Sequence, residues 1–242
     1  MNSRFKPSHS TPAPPGNRIL EALPREEHAR LLPLLSPVRF PKGKVLWEAG
    51  DEIRYAFFIT SGMVAMLSVT YDAETVEVGM IGNEGMAGVA ALLRCETAPY
   101  QVVSQLPSAA LRIGVQALRA EFARSPRLQD LLIRYTHALL TQIAQSTSCH
   151  RFHTAEQRLC RWLLTTADRA GSNTLPLTQE FLAQMIGVPR SSVTAAAAAL
   201  QNRGLISYSR GTIILLNRSG LESASCECYR TVSAILDCHL SS

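Results

Sequence analysis

Residues 177–212 read LTQEFLAQMIGVPRSSVTAAAAALQNRGLISYSRGT, and this stretch decides the fold at the C-terminal end of the chain. Thr178 is suited to cap a helix, Gly187 to end it, and Pro189 to start the next one. Apolar residues then recur at spacings of three and four, which gives the second helix a buried face: Val193, Ala196, Ala197 and Leu200. Two short strands, 205–208 and 212–216, follow around a turn at 209–211. The pattern predicts a helix-turn-helix with a wing, and the alternative is an ordinary helical hairpin in a core.

Composition and charge are consistent with this interpretation. The chain has 242 residues, 46% of them hydrophobic, and a net charge of +5, so it is long enough for two domains. Between positions 151 and 220, the sequence has eight arginines but only three acidic residues. We therefore expect the positive charge to gather around the helix-turn-helix, where it would favour binding to phosphates.

The six cysteines show no CxxC pair, and no secretory signal is visible, so reduced thiols and a cytoplasmic location are expected. Residues 1–18 are basic and rich in proline, which predicts a disordered tail. The uncharged run at 55–71 fits two strands around Ser61-Gly62 better than a membrane-spanning helix. No membrane partner is expected.

The middle of the chain divides into a strand-rich part and a helical part. Residues 19–36 suggest one or two short leading helices, and short apolar segments separated by glycines then predict an antiparallel barrel or a double-sheet jelly roll. The predicted strands are 45–47, 55–59, 63–69, 75–78, 100–104 and 109–113. After a helical start at Gln116, a long helix runs from Pro126 to about His150, followed by helices at 154–170 and 221–240. The fold class is α+β, with predicted divisions at 19–120, 121–152 and 153–242.

The long helix carries a seam at alternating steps of four and three, as in a coiled coil. We predict that this seam pairs with a second copy of the chain, which would make the protein a homodimer. The alternative is that the same stripe packs on the barrel. The predicted dimer-interface residues are Leu128, Leu132, Tyr135, Leu139, Gln142 and Ser146.

Taken together, the chain resembles the Crp–Fnr superfamily of bacterial transcription regulators over nearly everything after residue 30. The motifs that carry the resemblance are KGKVLWEAGD (42–51), FFITSGMV (57–64), GMAGVAALL (85–93) and LTQEFLAQMIGVPRSSV (177–193). The resemblance implies an effector domain of the cyclic-nucleotide-binding type, a dimerising helix and a winged helix-turn-helix. It also implies double-stranded DNA, a second copy of the chain and RNA polymerase as partners.

The same resemblance implies which residues contact DNA. Arg190 is placed to read a guanine through two donors, while Arg210 at the wing tip would contact phosphate or the minor groove. The predicted DNA-binding residues are Thr178, Gln179, Pro189, Arg190, Ser191, Ser192, Thr194 and Arg210. Ser191 stands where well-known members have Glu, so the specificity should differ from theirs; alternatively, Ser191 and Ser192 only begin the helix. The alanines at 195–199 leave part of the recognition to DNA shape.

The effector domain departs from the family pattern. Members that bind cyclic nucleotides use a Glu for the ribose and an Arg for the phosphate. Here Val89 replaces the Glu, and Ala98-Pro99 stands near the position of the Arg-Ser or Arg-Ala pair that supplies this Arg. Cyclic AMP is therefore not expected to bind in the usual way, unless Arg94 substitutes for the missing Arg. The predicted pocket residues are Gly85, Met86, Ala87, Gly88, Val89, Arg94, Ala98 and Pro99.

No cofactor or metal is predicted. The chain has no cysteine before Cys95, so the N-terminal iron–sulfur cluster of the Fnr branch has no ligands here. Cys149 and His153 share a helical face but supply only two ligands, and Cys226 and Cys228 are expected to point apart on one helix. No catalytic motif is recognised, so an enzyme is not expected. The competing hypothesis is a small-molecule or redox sensor whose DNA binding is weak or vestigial.

Overall fold

The computed structural model describes residues 16–72 and 75–240. Eleven strands and nine α-helices occur in these two ranges. The strands are β1 (Ser36–Phe40), β2 (Val45–Trp47), β3 (Tyr55–Ser61), β4 (Val64–Val69), β5 (Thr75–Ile81), β6 (Met86–Ala87), β7 (Gln101–Ser104), β8 (Ser108–Gly114), β9 (Thr174–Leu175), β10 (Ile206–Ser209) and β11 (Thr212–Leu215). The helices are α1 (Arg18–Glu21), α2 (Arg25–Leu31), α3 (Val115–Arg124), α4 (Pro126–Phe152), α5 (Ala155–Ala170), α6 (Gln179–Ile186), α7 (Arg190–Asn202), α8 (Arg218–Ala224) and α9 (Cys228–Leu240). Short 3-10 turns at Leu32–Leu34 and Val89–Ala91 complete the N-terminal part.

The N-terminal half is a β-roll made of two four-stranded antiparallel sheets. One sheet has the order β1-β8-β3-β6 and the other β2-β7-β4-β5. Ala56 and Phe58, two positions apart on β3, are fully buried in the core of the roll, as expected for alternating inward-facing residues. The predicted double-sheet roll is confirmed, and so is the α+β class. The uncharged run at 55–71 forms β3 and β4 around Gly62, whose φ of +73° favours glycine.

The end of the predicted disordered tail is folded. Residues 1–15 lie outside the described ranges, but Asn17 is buried in the roll. Its side-chain amide donates to the carbonyl oxygens of Ile59 (2.9 Å) and Gly85 (2.8 Å). Its Oδ1 accepts from the first amides of α1 and caps that helix. The prediction of disorder is therefore wrong for residues 16–18.

The long helix α4 packs on the roll of its own chain, which corrects the prediction for its seam. All six predicted interface residues are buried within the single chain. Tyr135 Oη donates to the carbonyl of Met86 (3.1 Å), and Gln142 Nε2 donates to that of Met80 (2.9 Å). These polar groups find their partners on the roll backbone, so the apolar stripe faces the roll and not a second subunit. The predicted domain boundary at residue 121 also falls inside α3.

The C-terminal half is a winged helix-turn-helix domain. Thr154 and Gln157 form a capping box at the start of α5, and Gly171 ends the helix with a φ of +60°. The wing sheet has the order β10-β11-β9, in which the short strand β9 was not predicted. Trp162, fully buried on α5, anchors a core shared by this domain and one face of the roll.

The predicted last helix at 221–240 is two helices. Helix α8 ends at Ala224, and Ser225 has an extended ψ of 161° that breaks the helical path. Cys226 and Glu227 lie in the turn before α9 begins. The cysteines at 226 and 228 are therefore not fixed on opposite faces of one helix.

In the described ranges, no helix combines the length and the apolar character that crossing a bilayer would require.

Candidate nucleic-acid interface and effector cavity

The two helices of the helix-turn-helix are set by local signals that the sequence makes visible. The Thr178 hydroxyl accepts from the amide of Phe181 (3.2 Å) and caps α6, and Gly187 ends that helix with a φ of +59°. Pro189 then precedes α7, as its fixed φ allows. The inward face of α7 is buried, as predicted for Val193, Ala196, Ala197 and Leu200.

The opposite face of α7 carries the predicted contact residues at its N-terminal end. Arg190, Ser191 and Thr194 are exposed, whereas Ser192 is half-buried and its backbone amide donates to the carbonyl of Pro189. Arg190 lies 3.9 Å from Glu180, and both side chains are more than two-thirds exposed. Such a surface pair contributes little energy, so Arg190 remains available to a partner.

Gln179 and Thr194 join the two helices across the turn. The Thr194 hydroxyl donates to Gln179 Oε1 at 2.8 Å, and its oxygen also lies 3.1 Å from the carbonyl of Arg190. The side chain of Gln179 is half-buried. These two residues therefore fix the relative position of α6 and α7 at the surface where the predicted contacts lie.

The wing tip places another predicted residue in solvent. Arg210 has a φ of +47° and is followed by Gly211 at +75°, the pattern of a type I′ turn between β10 and β11. The side chain of Arg210 is exposed. It projects from the same domain as Arg190 but from a separate element.

The arginines of this domain are more often buried than the sequence suggested. Arg158, Arg161 and Arg169 are all between 5% and 7% exposed, so three of the eight arginines between 151 and 220 do not face a DNA backbone. Two further arginines are paired with acids: Arg203 with Glu156 (2.6 Å), and Arg218 with Asp168 and Glu222 (2.7 and 3.0 Å). The basic surface is therefore smaller than the sequence count predicts.

The roll and the helix-turn-helix are in contact. Lys42 Nζ donates to the carbonyl of Pro176 (2.6 Å) and lies over the ring of Phe181. Gln184 on α6 donates to the hydroxyl of Thr75 on β5. A groove between these elements reaches Pro189 and Arg190 at the start of α7. Helix α7 thus begins beside the roll, and its outer face is exposed to solvent.

The effector cavity lies between the sheets of the roll and α4. It has a volume of about 50 Å³, and none of its lining side chains in the described part of the chain carries a charge. The lining residues are Trp47, Ile53, Met66, Ile81, Met86, Ala87, Gly88, Val89, Ala90, Ala98, Pro99, Tyr100, Val102 and Leu139. Six of the eight predicted pocket residues lie here: Met86, Ala87, Gly88, Val89, Ala98 and Pro99.

The other two predicted pocket residues do not face the cavity. Gly85 lies against the ring of Tyr135, which a Cβ at this position would meet at 2.5 Å. Arg94, whose φ is +61°, is exposed and lines a separate surface groove with Glu96 and Arg119, outside the cavity. The prediction that Gly85 and Arg94 line the pocket is therefore wrong. Leu139 of α4 was missed because its stripe was assigned to a dimer interface.

The cysteines also lie differently from what their spacing suggested. Because the chain turns at Ser225, Cys226 and Cys228 both reach Cys149 and His153 at the end of α4. The hydrogen bond with Cys226 and, to a smaller extent, the charge of Arg161 lower the pKa of the Cys149 thiol, against the opposing effect of burial. The prediction that Cys226 and Cys228 point apart is wrong.

Known protein families match both halves of the chain. Residues 37–125 match a cyclic nucleotide-binding domain, and residues 157–224 match a Crp-like helix-turn-helix domain. The chain is 25% identical over 194 residues to a CRP-like cAMP-activated global transcriptional regulator of Mycobacterium tuberculosis, which covers 77% of this chain and 87% of that protein. It is 22% identical over 190 residues to the global nitrogen regulator of Synechococcus elongatus, with 74% and 85% covered.

Solved structures share the fold. The chain superposes on FixK2 from Bradyrhizobium japonicum with a TM-score of 0.68 at 15% identity, covering 79% of this chain and 98% of that one. The global regulator CLP from Xanthomonas campestris gives a TM-score of 0.66 at 19% identity, covering 79% and 99%. These likenesses show that the overall fold is shared.

Proposed function

We propose that this chain, a transcription regulator of the Crp–Fnr type, binds inverted-repeat DNA sites as a homodimer and reads them with the N-terminal half of α7. The observation that carries the proposal is the division of α7 into a buried apolar face and an exposed face that begins with Arg190, Ser191 and Thr194. A helix presented in this way fits the major groove, with its first residues at the base edges.

The exposed residues have distinct roles in this proposal. Arg190 donates two hydrogen bonds to O6 and N7 of a guanine. Ser191 and Ser192 contact bases or phosphate beside it, and Pro189 orients the start of the helix. Thr178, the N-terminal amides of α6 and Arg210 hold the phosphate backbone. Gln179 and Thr194 keep the two helices in register, because they are already hydrogen-bonded to each other.

The dimer forms through the outer face of α4, not through the seam expected from the sequence. Ile133 and Leu140 are each 61% exposed, although both are large apolar side chains. The exposed positions follow steps of four and three, as in a coiled coil: Ile133, His137, Leu140, Ala144, Thr147 and Arg151. This face lies opposite the stripe on the roll, so α4 contacts the roll and a second copy at the same time.

The effector domain does not bind cyclic AMP in the usual way. A ligand pocket for a small molecule commonly has about 300–1,000 Å³, whereas this cavity has about 50 Å³. Its lining offers apolar side chains where a cyclic phosphate needs a cation. A small apolar effector fits this chemistry better, and it would contact Leu139 and hence the helix that leads to the DNA-binding domain.

A second candidate function is a small-molecule or redox sensor with vestigial DNA binding. The observation that favours it is the short inventory of functional groups on α7, where residues 195–199 are all alanine. Contact with RNA polymerase belongs to the first function and stays a prediction.

Selection of genomic DNA fragments by the purified protein distinguishes the two functions. The proposal expects an enriched inverted repeat whose half-sites lie about one helical turn apart, either with the protein alone or after addition of cell extract. No enriched motif under either condition would overturn it in favour of the sensor.

A further inference from the structure

Four metal-ligating side chains meet where α4 ends and where α8 passes into α9. We refer to them as the Cys3His group, and its members are Cys149, His153, Cys226 and Cys228. The four ligand atoms all lie within 4.8 Å of one another. The Sγ atoms of Cys149 and Cys226 are 3.6 Å apart, and Cys228 Sγ is 3.5 Å from His153 Nδ1. All three thiols are at most 3% exposed.

The two shorter separations, 3.6 Å and 3.5 Å, are close to the edges of one metal-centred tetrahedron. With Zn–S bonds near 2.3 Å and Zn–N bonds near 2.0–2.1 Å, tetrahedral geometry places two sulfurs about 3.8 Å apart and a sulfur and a nitrogen about 3.6 Å apart. A polynuclear cluster would need its ligands further from one another. The donor set and the spacing therefore fit a single ion.

We propose that the Cys3His group binds one divalent metal ion in tetrahedral geometry, with Zn²⁺ as the expected occupant. Four protein ligands leave no open position for water or substrate, so the site is structural and not catalytic. The inference does not depend on how the protein reads DNA.

The surrounding residues supply the outer contacts that such a site needs. His153 Nδ1 points to the thiols, and its Nε2 lies 3.2 Å from Glu227 Oε1. A carboxylate behind a metal-bound histidine fixes the ring and its tautomer. Gln145 Nε2 lies 3.1 Å from Cys228 Sγ and donates to it, as an amide does to a thiolate.

The charges around the Cys3His group also support a bound metal ion. Three thiolates and one divalent cation sum to −1, and a buried site of that charge needs a cation nearby. Arg161 is 5% exposed, and its charge acts on Cys149. Within the described residues, the Nε atoms of Arg158 and Arg161 are buried without a hydrogen-bond partner. The metal–thiolate group would provide the negative charge that these arginines face.

The position of the site gives it a mechanical role. His153 ends α4 and Thr154 caps α5, so the site lies at the hinge between the long helix and the DNA-binding domain. The metal would fasten this hinge to the start of α9, which packs along α4. Loss of the metal should therefore loosen α9 and free the hinge.

The test is metal analysis of the full-length protein, purified under reducing conditions from cells supplied with zinc. We expect elemental mass spectrometry of the purified protein to find one Zn²⁺ per chain. Cys228→Ser should lower the zinc content and the affinity, and Glu227→Gln should weaken binding by about 10–100-fold. The matched controls are Cys160→Ser, a buried thiol elsewhere, and Cys95→Ser, an exposed one; both should retain one zinc per chain.

Two further measurements keep the test decisive if a cysteine variant fails to fold. The wild-type protein, stripped by a chelator and reloaded with Co²⁺, should develop thiolate-to-cobalt charge-transfer absorption. His153→Cys should keep the metal, because it replaces one good zinc ligand with another. Protein without bound metal and without the cobalt bands would overturn the proposal, whether its thiols are free or Cys149 and Cys226 form a disulfide. Iron accompanied by acid-labile sulfide would overturn it as well.

Discussion

Trp162 Nε1 donates a hydrogen bond to Oε2 of Glu77 at 3.1 Å, across the contact between the DNA-binding domain and the β-roll. Gln105 donates to the same oxygen. Glu77 is only 4% exposed, so a carboxyl group is enclosed where the two halves of the protein meet. Its protonation therefore bears on how firmly the DNA-binding domain is held.

The contribution of Glu77 to stability should fall as the pH rises towards 7. Burial raises the pKa of Glu77 to about 7 from an ordinary value of 4.5, although hydrogen bonds from Gln105 and Trp162 oppose the shift. The folded state thus binds more protons than the unfolded chain between these values. The stability from this group is fully present below pH 4.5 and is lost as the pH rises through 7.

The loss in the free energy of unfolding that Glu77 causes should be on the order of 3 kcal/mol, since one pKa unit corresponds to about 1.4 kcal/mol. Urea denaturation of the wild type and of Glu77→Gln at a series of pH values measures it. The variant should lack this pH dependence, whereas Glu26→Gln, at an exposed position on α2, should keep it. Equal slopes for all three proteins would contradict the assignment.

Breaking the buried ion pair between Arg169 and Glu84 should destabilise the fold strongly. The two side chains are 5% and 6% exposed and 2.9 Å apart, and Arg169 also donates to Gln142 on α4. Arg169→Met leaves Glu84 buried and unpaired, which should cost about 3–5 kcal/mol in the free energy of unfolding.

Adding Glu84→Gln to Arg169→Met should recover part of that loss, because no unpaired charge remains. Arg203→Met removes the more exposed pair with Glu156 and should cost less than about 1 kcal/mol. Chemical denaturation measures all four proteins. A small effect of Arg169→Met would show that this contact is not a major support of the domain arrangement.

Leu140→Glu should weaken the dimer without unfolding the chain. Leu140 is 61% exposed on the outer face of α4, where a carboxylate would be placed against a second copy. Sedimentation at several concentrations should show a shift to monomer. Leu93→Glu replaces an equally exposed leucine, 66% exposed, on the roll and should leave association unchanged. An unaltered dimer for Leu140→Glu would place the interface elsewhere.

Arg190→Ala and Arg210→Ala should have different effects on DNA binding. We expect Arg190→Ala to cost about 1–3 kcal/mol and to relax the preference at one base pair of each half-site. Arg210→Ala should weaken binding to all sequences and reduce the salt slope by about one. Fluorescence anisotropy on matched and mutated sites separates the two.

Arg39→Ala, an exposed arginine on β1, controls for the loss of one positive charge. A uniform loss across sequences for Arg190→Ala would identify Arg190 as a phosphate contact.

Cyclic AMP should leave the melting temperature unchanged at concentrations that stabilise a protein with a dedicated site. The reason is that the cavity lining provides no cation for the phosphate and about 50 Å³ of space. Thermal denaturation with and without the nucleotide checks this. A shift that saturates with concentration would show that the roll opens to a larger pocket.

The sequence by itself determined the features that depend on neighbouring residues. Thr178, Gly187 and Pro189 place the helix-turn-helix because caps and helix ends are local signals, and glycine-separated apolar segments located six of the strands of the roll. The periodic spacing of residues along α4 did not by itself decide which face of the helix is buried. Positions 128, 132, 135 and 139 and positions 133, 137 and 140 follow the same steps, but only the first set is buried.

Only the tertiary structure decided the features that join distant parts of the chain. Arg158, Arg161 and Arg169 are buried because α5 lies between the roll and the rest of the DNA-binding domain, which a count of charges does not reveal. Arg94 lies outside the cavity and lines a separate surface groove, although it follows closely after the cavity residues in sequence. The Cys3His group forms because Ser225 breaks a helix and brings residues 226 and 228 back to residues 149 and 153. Such convergence depends on the path of the whole chain, and residue spacing carries no information about it.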